Sequence, residues 1–292
     1  MPVGIGVREQ LLPKYLSAKN LTEVLSPQQS YCLFLDIDGT LAEFTLNPKD
    51  TVIPQSTLTL LANIQNQGIN VAIVTGRSLS AAREMIAPLQ LPIAATHGLE
   101  ISFDANGTSD DTKAISVDTD ELAKIRQMIN QFCMPYDEFY IEHKPYSVAL
   151  HYRQNPMLAE IARTIMSKTL VSHSGWVLRS GKYVLEAIPK GADKGSAILA
   201  LLKTMQSAST LSASTLCPIF IGDDITDEAG FAAVQGESLA VQNHQKSVTG
   251  MGIKVGTEPT CAHYYVDSIQ DVTDLLHSFL TFCQGQLSTA VI

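Results

Sequence analysis

Between Tyr31 and Gly98 the chain alternates short apolar runs with stretches of helical period, and this alternation limits the folds open to it more than any other feature. Tyr31 to Asp36 reads as a compact strand, Ser56 to Gln67 as a helix closed by Gly68, and Asn70 to Thr75 as a second strand. A helix from Ser80 to about Pro88 leads to a third strand, "LPIAATHG". The pattern returns late in the chain. A helix from about Asp193 to Met205 precedes the strand "CPIFIGDD", a helix follows from Thr226 to Val234, and strands are expected near "SLAVQ" and "AHYYVD". Strands and helices at this spacing predict an α/β fold with a doubly wound, mostly parallel, Rossmann-like sheet.

Between the two blocks the grammar changes. Asp118 to Phe132 has a helical pattern, and "EFYIEHKPYSVALHYR" reads as two strands around a Lys144-Pro145 turn. Pro156 to Leu170 is helical again, and "WVLRSGKYVLEAIP" is expected to be a hairpin through Ser180-Gly181. The order αββαββ describes an inserted α+β domain. The expected division is an N-terminal extension over 1–30, a core over 31–108 and 189–292, and an insert over 109–188. Residues 8 to 25 can form a short amphipathic helix used for packing or an oligomer contact rather than as a membrane anchor. The two connections, Asp104 to Asp111 and Ala187 to Asp193, contain Gly, Pro and Asp and are read as hinges.

Composition excludes several classes of function. With 45% hydrophobic and 17% charged residues the chain has too much apolar material to be disordered, and a net charge of −9 opposes nucleic acid. No stretch approaches the length of a membrane span, and the N-terminal segment has no apolar leader, so no membrane partner is expected. Cys32, Cys133, Cys217, Cys261 and Cys283 are widely spaced and show no zinc-ligand pattern. They read as reduced thiols, which points to the cytoplasm. A monomer is the expected state.

In an open parallel sheet, ligands bind beyond the carboxyl ends of the strands. Each polar cluster here follows a strand: Asp36-Ile37-Asp38, Thr75-Gly76-Arg77, His97-Gly98 and Gly222-Asp223-Asp224. Gathered carboxylates repel one another unless a cation compensates, and hard oxygen donors without Cys or His favour Mg²⁺. With a phosphate drawn to such a site, Asp36 can attack phosphorus to give an aspartyl-phosphate. Asp38 can protonate the leaving oxygen and then deprotonate water. Thr75 can donate to a phosphoryl oxygen, and Lys194 in "ADKGSAILALL" can neutralise charge on the nucleophile and the transition state.

In this order "DIDGT", "VTGR", Lys194 and "GDDITDE" resemble the four motifs of the haloacid-dehalogenase superfamily of phosphatases. Together with "THGLEI", "EHKPYSVALHYR" and "LEAIPKGADKG" they resemble one family within it, the trehalose-6-phosphate phosphatases, over about Tyr31 to Asp267. The resemblance implies hydrolysis of trehalose 6-phosphate, and it implies that the insert is a C2-type cap closing over the active site. It also implies Asp36 as nucleophile, Asp38 as general acid and base, and Thr75 and Lys194 as phosphate-gripping groups. Mg²⁺ would be held by Asp36, the Asp38 carbonyl and Asp223, with Asp224 and Asp227 near it.

A disaccharide phosphate is almost wholly polar, so its recognition needs a second wall of donors and acceptors. Along Tyr146 to Arg153, alternation puts Val148, Leu150 and Tyr152 on one face and Ser147, His151 and Arg153 on the other. A charged hairpin face is most often solvated surface. The family resemblance turns Glu142, Lys144, His151, Arg153 and Glu186, with Ser147 and Arg179 beside them, into expected sugar contacts. Gly76, His97, Gly98 and Glu100 are placed at the sugar side of the cleft, although a histidine at a strand end can equally be structural. Arg77 can bind substrate or brace its loop. Trp176 reads as a core anchor. Other sugar-phosphate phosphatases and sugar phosphomutases share the core motifs, so the choice among them rests on the cap.

Overall fold

The computed structural model describes residues 12–103, 112–113, 117–208, 216–236 and 249–289. The first half of the core contains β1 (Lys14–Tyr15), α1 (Ala18–Val24), β2 (Tyr31–Leu35), α2 (Gln55–Gln65), β3 (Asn70–Val74), α3 (Leu79–Ile86), β4 (Ile93–Ala95), β5 (Glu100–Ser102) and β6 (Thr112–Lys113). The insert comprises α4 (Thr119–Cys133), β7 (Tyr140–Lys144), β8 (Ser147–His151), α5 (Ala159–Leu170), β9 (Trp176–Gly181) and β10 (Val184–Pro189). The core then resumes with α6 (Lys194–Ala208), β11 (Cys217–Gly222), α7 (Glu228–Val234), β12 (Met251–Val255), β13 (Tyr264–Val266) and α8 (Ile269–Thr289).

The core strands form a nine-stranded sheet ordered β1-β13-β12-β11-β2-β3-β4-β5-β6. Pairing is parallel from β1 through β4, and β5 and β6 add an antiparallel margin. Residues of β2 are buried throughout, because helices cover both faces of the sheet. Leu33 and Leu35 point into a cluster that includes residues of α2, α3 and α8, while Phe34 joins Phe220 and residues of α6 and α7 on the other face. From β2 the chain moves outward to β3 and β4, and from its neighbour β11 it moves the opposite way to β12 and β13. The crevice between β2 and β11 is therefore the topological switch point, where such sheets hold ligands.

The insert has its own antiparallel sheet, ordered β7-β8-β10-β9. Val148, Leu150, Leu185 and Ala187 face α4 and α5, where Trp176 is buried as a core residue. Its indole donates to Glu121 at 2.9 Å. The period of two then sends Ser147, His151 and Glu186 to the opposite face, toward the core.

Five sequence expectations are corrected or fall elsewhere. The hairpin turn lies at Lys182-Tyr183, two residues beyond Ser180-Gly181, which remain paired in β9. Strand β12 and helix α8 are additions to the sequence reading, while the strand expected at Ser238 to Gln242 lies outside the described residues, as does the Asp104 to Asp111 connection. The second connection is less free than a hinge: β10 runs to Pro189, Lys190 N–H donates to Gly175 at 2.9 Å, and Arg179 donates to the Ala192 carbonyl at 2.5 Å. In place of one helix over residues 8 to 25, the described part holds β1, paired with β13, and α1, with Leu21 buried.

Candidate active site

Asp36 follows the last residue of β2, with its N–H bonded to the Ile221 carbonyl of β11 at 3.0 Å. That register sets Asp36 beside Asp223 across the switch point. The approach is close: a Cβ on Gly39, where φ is +74°, would stand 2.0 Å from Asp223 Oδ2, so only glycine fits in the loop after the strand. Asp36, Asp223 and Asp227 can bring carboxylate oxygens within 4.8 Å of one another.

Burial pushes the Asp36 carboxyl up to about 7 against the pull of Lys194, with Asp227 and Asp38 adding to the rise. Burial and the neighbouring Asp36 and Asp227 push Asp223 up to about 8. At the start of α6, Lys194 Nζ lies 3.0 Å from Asp36 Oδ2 and donates to Asp227 Oδ1 at 2.7 Å. Burial works against that ammonium, but Asp227 and Asp36 outweigh it and hold Lys194 above the ordinary lysine value. An all-oxygen cluster with excess negative charge fits a hard divalent cation such as Mg²⁺.

Asp38 receives both arms of the Arg77 guanidinium, at 2.7 and 2.6 Å. Arg77 thus braces the loop and clamps a candidate acid–base group at once. Thr75 is buried at the end of β3, where its hydroxyl accepts the Arg77 N–H at 3.2 Å. His97 sits in a 3-10 turn with φ +55°, an uncommon conformation for a side-chain-bearing residue. Its Nε2 is 3.1 Å from Glu186 Oε2 of the insert, and its Nδ1 is buried without a partner among the described residues. Burial lowers its pKa despite Glu186.

The insert supplies the opposite wall. Arg179, Glu186, Ala149 and Glu142 share one register row across three strand pairings, with the small Ala149 between the two carboxylates. Glu186 accepts from Lys144 Nζ at 3.0 Å and from Ser147 Oγ at 2.5 Å. Burial would raise Glu186, but Lys144, His97 and Ser147 hold it far below the ordinary carboxylate range. Lys144 also donates to the Gly76 carbonyl at 2.6 Å, joining the insert to the loop after β3. Glu142 is bonded to His151 Nε2 at 2.9 Å, and Arg153 donates to the Thr45 carbonyl while lying over the Phe44 ring.

Together these groups line a cleft between core and insert. Its walls include Asp36, Asp38, Thr75, Gly76, Arg77, His97, Lys194, Asp223 and Asp224 from the core. Glu142, Lys144, His151, Arg153, Arg179 and Glu186 come from the insert. Three residues expected at the sugar side stand elsewhere. Glu100 accepts from Thr96 Oγ1 at 2.7 Å and steadies the His97 turn, Gly98 packs against α6, and Ser147 is wholly buried under Glu186. Phe44, Lys182 and Lys254 were not singled out by sequence. Phe44 and Lys182 line the cleft, and buried Lys254 of β12 donates to the Asp223 carbonyl.

A family model described as trehalose-phosphatase matches residues 34–270, which span both sheets. The chain belongs to the trehalose-phosphatase family. Within that family, trehalose-6-phosphate phosphatase of Escherichia coli (strain K12) is 32% identical over 267 residues, covering 90% of this chain and 92% of the relative. Among solved structures, the C-terminal domain of trehalose-6-phosphate phosphatase from C. albicans superposes with a TM-score of 0.76 at 19% identity, covering 94% of this chain and 99% of that one. A haloacid dehalogenase-like hydrolase from Bacteroides thetaiotaomicron gives 0.59 at 15% identity, over 86% and 100% of the two chains. These two likenesses show the fold: the trehalose-phosphatase core and its inserted cap form a HAD-like architecture. No helix among the described residues is long and apolar enough to cross a membrane.

Proposed function

We propose that this chain hydrolyses trehalose 6-phosphate to trehalose and phosphate, with Asp36 as the nucleophile. The supporting observation is one cleft in which Asp36, Lys194 and Asp223 face Glu142, Lys144 and Glu186, in a chain 32% identical to a relative named for that activity. In the first step an Asp36 oxygen forms a bond to phosphorus, the ester P–O bond breaks, and Asp38 supplies a proton to the departing sugar oxygen. In the second, Asp38 takes a proton from water, the water oxygen bonds to phosphorus, and the P–O bond to Asp36 breaks. Thr75 and Lys194 hold the phosphoryl oxygens, Lys194 already lying 3.0 Å from the nucleophile.

Asp36 and Asp223, with Asp227 behind them and the Asp38 carbonyl, are the groups that would hold Mg²⁺. Once bound, the cation supplies charge compensation for the carboxylates and the phosphate. Glu142, Lys144, His151, Arg153, Arg179 and Glu186 meet the sugar hydroxyls, and a sugar that leaves them unpaired is penalised. The five free cysteines support a reducing compartment, the cytoplasm.

The test is phosphate release from trehalose 6-phosphate, sucrose 6-phosphate and glucose 6-phosphate in parallel, with Mg²⁺ present. A strong preference for trehalose 6-phosphate is expected. Equal or reversed preference would retain the phosphatase chemistry and discard this substrate, and no release from any would discard both.

A further inference from the structure

One carboxylate of "GDDITDE" has a task outside the acidic cluster. The cluster of Asp36, Asp223 and Asp227 does not include Asp224. Asp224 Oδ1 accepts the Ile225 N–H at 2.5 Å and caps the 3-10 turn Ile225–Asp227. Its other oxygen, Oδ2, accepts the Lys182 N–H at 3.1 Å. Lys182 belongs to the turn between β9 and β10, so this bond crosses from core to cap.

The local sequence is shaped around that contact. A Cβ on Gly181 would lie 3.0 Å from Asp224 Oδ2 and 2.9 Å from Val184 Cγ1, so a side chain there would push the turn off its acceptor. Tyr183 takes φ +61° to close the turn, and its carbonyl accepts the Tyr152 N–H at 3.0 Å. Lys182 Nζ then lies 4.6 Å from the centre of the Phe44 ring, over the loop that follows β2. Across the cleft, the bonds made by Lys144, Glu186 and Arg153 use their side chains. The Asp224 bond uses a backbone N–H, so it positions the turn whatever side chain the turn carries.

We propose that Asp224 is a positioning residue: its carboxylate seats the β9–β10 turn of the cap on the core and so fixes the cleft wall made by Ser180, Gly181 and Lys182. This deepens the trehalose 6-phosphate reading and rests on it for the substrate alone. Asp224→Ser tests it, because serine still caps the 3-10 turn but is too short to reach Lys182.

Three measurements separate the outcomes. Hydrogen–deuterium exchange should be about tenfold faster at the Lys182 amide in the variant. The MgCl₂ concentration that half-saturates the thermal shift of substrate-free protein should move less than about twofold. KM for trehalose 6-phosphate should rise about tenfold, at least five times the change seen with p-nitrophenyl phosphate.

Unchanged exchange at Lys182 would overturn the seat, and a lost response to MgCl₂ would make Asp224 a metal ligand instead. Equal losses on both substrates would show that the turn does not shape the sugar wall. If wild-type protein leaves trehalose 6-phosphate intact while Lys182 exchange still accelerates, the substrate reading falls and the seat stands. Should the serine variant not fold, Gly181→Ala disturbs the same bond from the cap side, and the same three changes are expected of it.

Discussion

At the residue scale the site is a balance of buried charges. Asp36 is the only carboxylate of the cluster both placed at the strand end and held 3.0 Å from the Lys194 ammonium among the described residues. Asp36→Asn is expected to lower turnover by about 10⁴-fold or more with an unchanged circular dichroism spectrum. Residual activity near the wild-type rate would remove it as nucleophile. Asp223 sets a second expectation, of opposite sign for stability. Its folded value near 8, against 3.8 in the unfolded chain, means the native state keeps a proton that the unfolded state has lost. Stability of the magnesium-free protein therefore falls as pH rises from about 4 to about 8. Asp223→Asn keeps the shape beside Gly39 and removes that charge, so melting scans without metal should show a gain of a few degrees at pH 8 and a flatter pH profile. The meeting of Asp36 and Asp223 traces to residues that end apolar strands, a placement that sequence carries well. Glu100 and Gly98 are expected near the sugar by adjacency to His97, but Gly98 packs against α6 and Glu100, at the start of the reversed strand β5, is taken up by Thr96.

At the element scale, the cap sheet supplies the wall of the cleft opposite the acidic cluster. Glu186 lies at the centre of a buried set with Lys144, Ser147 and His97, and its carboxyl is held below its ordinary value of 4.5. A depressed carboxylate stabilises the fold above its unfolded pKa, and that contribution is lost as pH falls below about 4.5 toward the folded value. Wild-type protein should lose more melting temperature between pH 5 and pH 3 than Glu186→Gln, and parallel curves would refute the assignment. Lys144→Ala removes the partner of a buried carboxylate and is expected to cost about 3–5 kcal/mol by chemical denaturation. In folded protein it should reduce turnover of the disaccharide phosphate far more than that of an aryl phosphate.

Elements with a plain period were legible in the chain: β2, β3, β11 and both cap helices match their apolar patterns. Strand β12 was not, because "MGIKV" carries a lysine and a glycine at buried positions. Gly252 leaves room for Gln235 and Phe231, and Lys254 reaches the Asp223 carbonyl, so both choices answer tertiary neighbours invisible to local pattern. The turn at Lys182-Tyr183 escaped for the same reason: Ser-Gly is the stronger local turn signal, but Gly181 is reserved for the approach to Asp224.

At the scale of the whole molecule, core and cap meet across the cleft through bonds from both sides. The acidic cluster predicts that EDTA stops phosphate release and that added Mg²⁺ restores it, measured by continuous phosphate assay; turnover unaffected by the chelator would contradict the site. The change from the parallel sheet to the separate antiparallel one was readable from the change of strand–helix grammar around residues 118 to 189. How the parts touch was not, since Lys144 and Gly76, or Glu186 and His97, are far apart in the chain and carry no shared pattern.

The Gly76–Lys144 bond has a consequence for how such enzymes change over generations. Gly76 lies in the loop after β3 beside Thr75, whereas Lys144 belongs to the cap wall of the cleft, the wall proposed to read the sugar. Recognition and chemistry are thus not interchangeable modules. A cap transplanted from another family member would arrive without its footing in the 75–77 and 96–98 loops, so divergence toward a new sugar must proceed by coordinated changes in both parts.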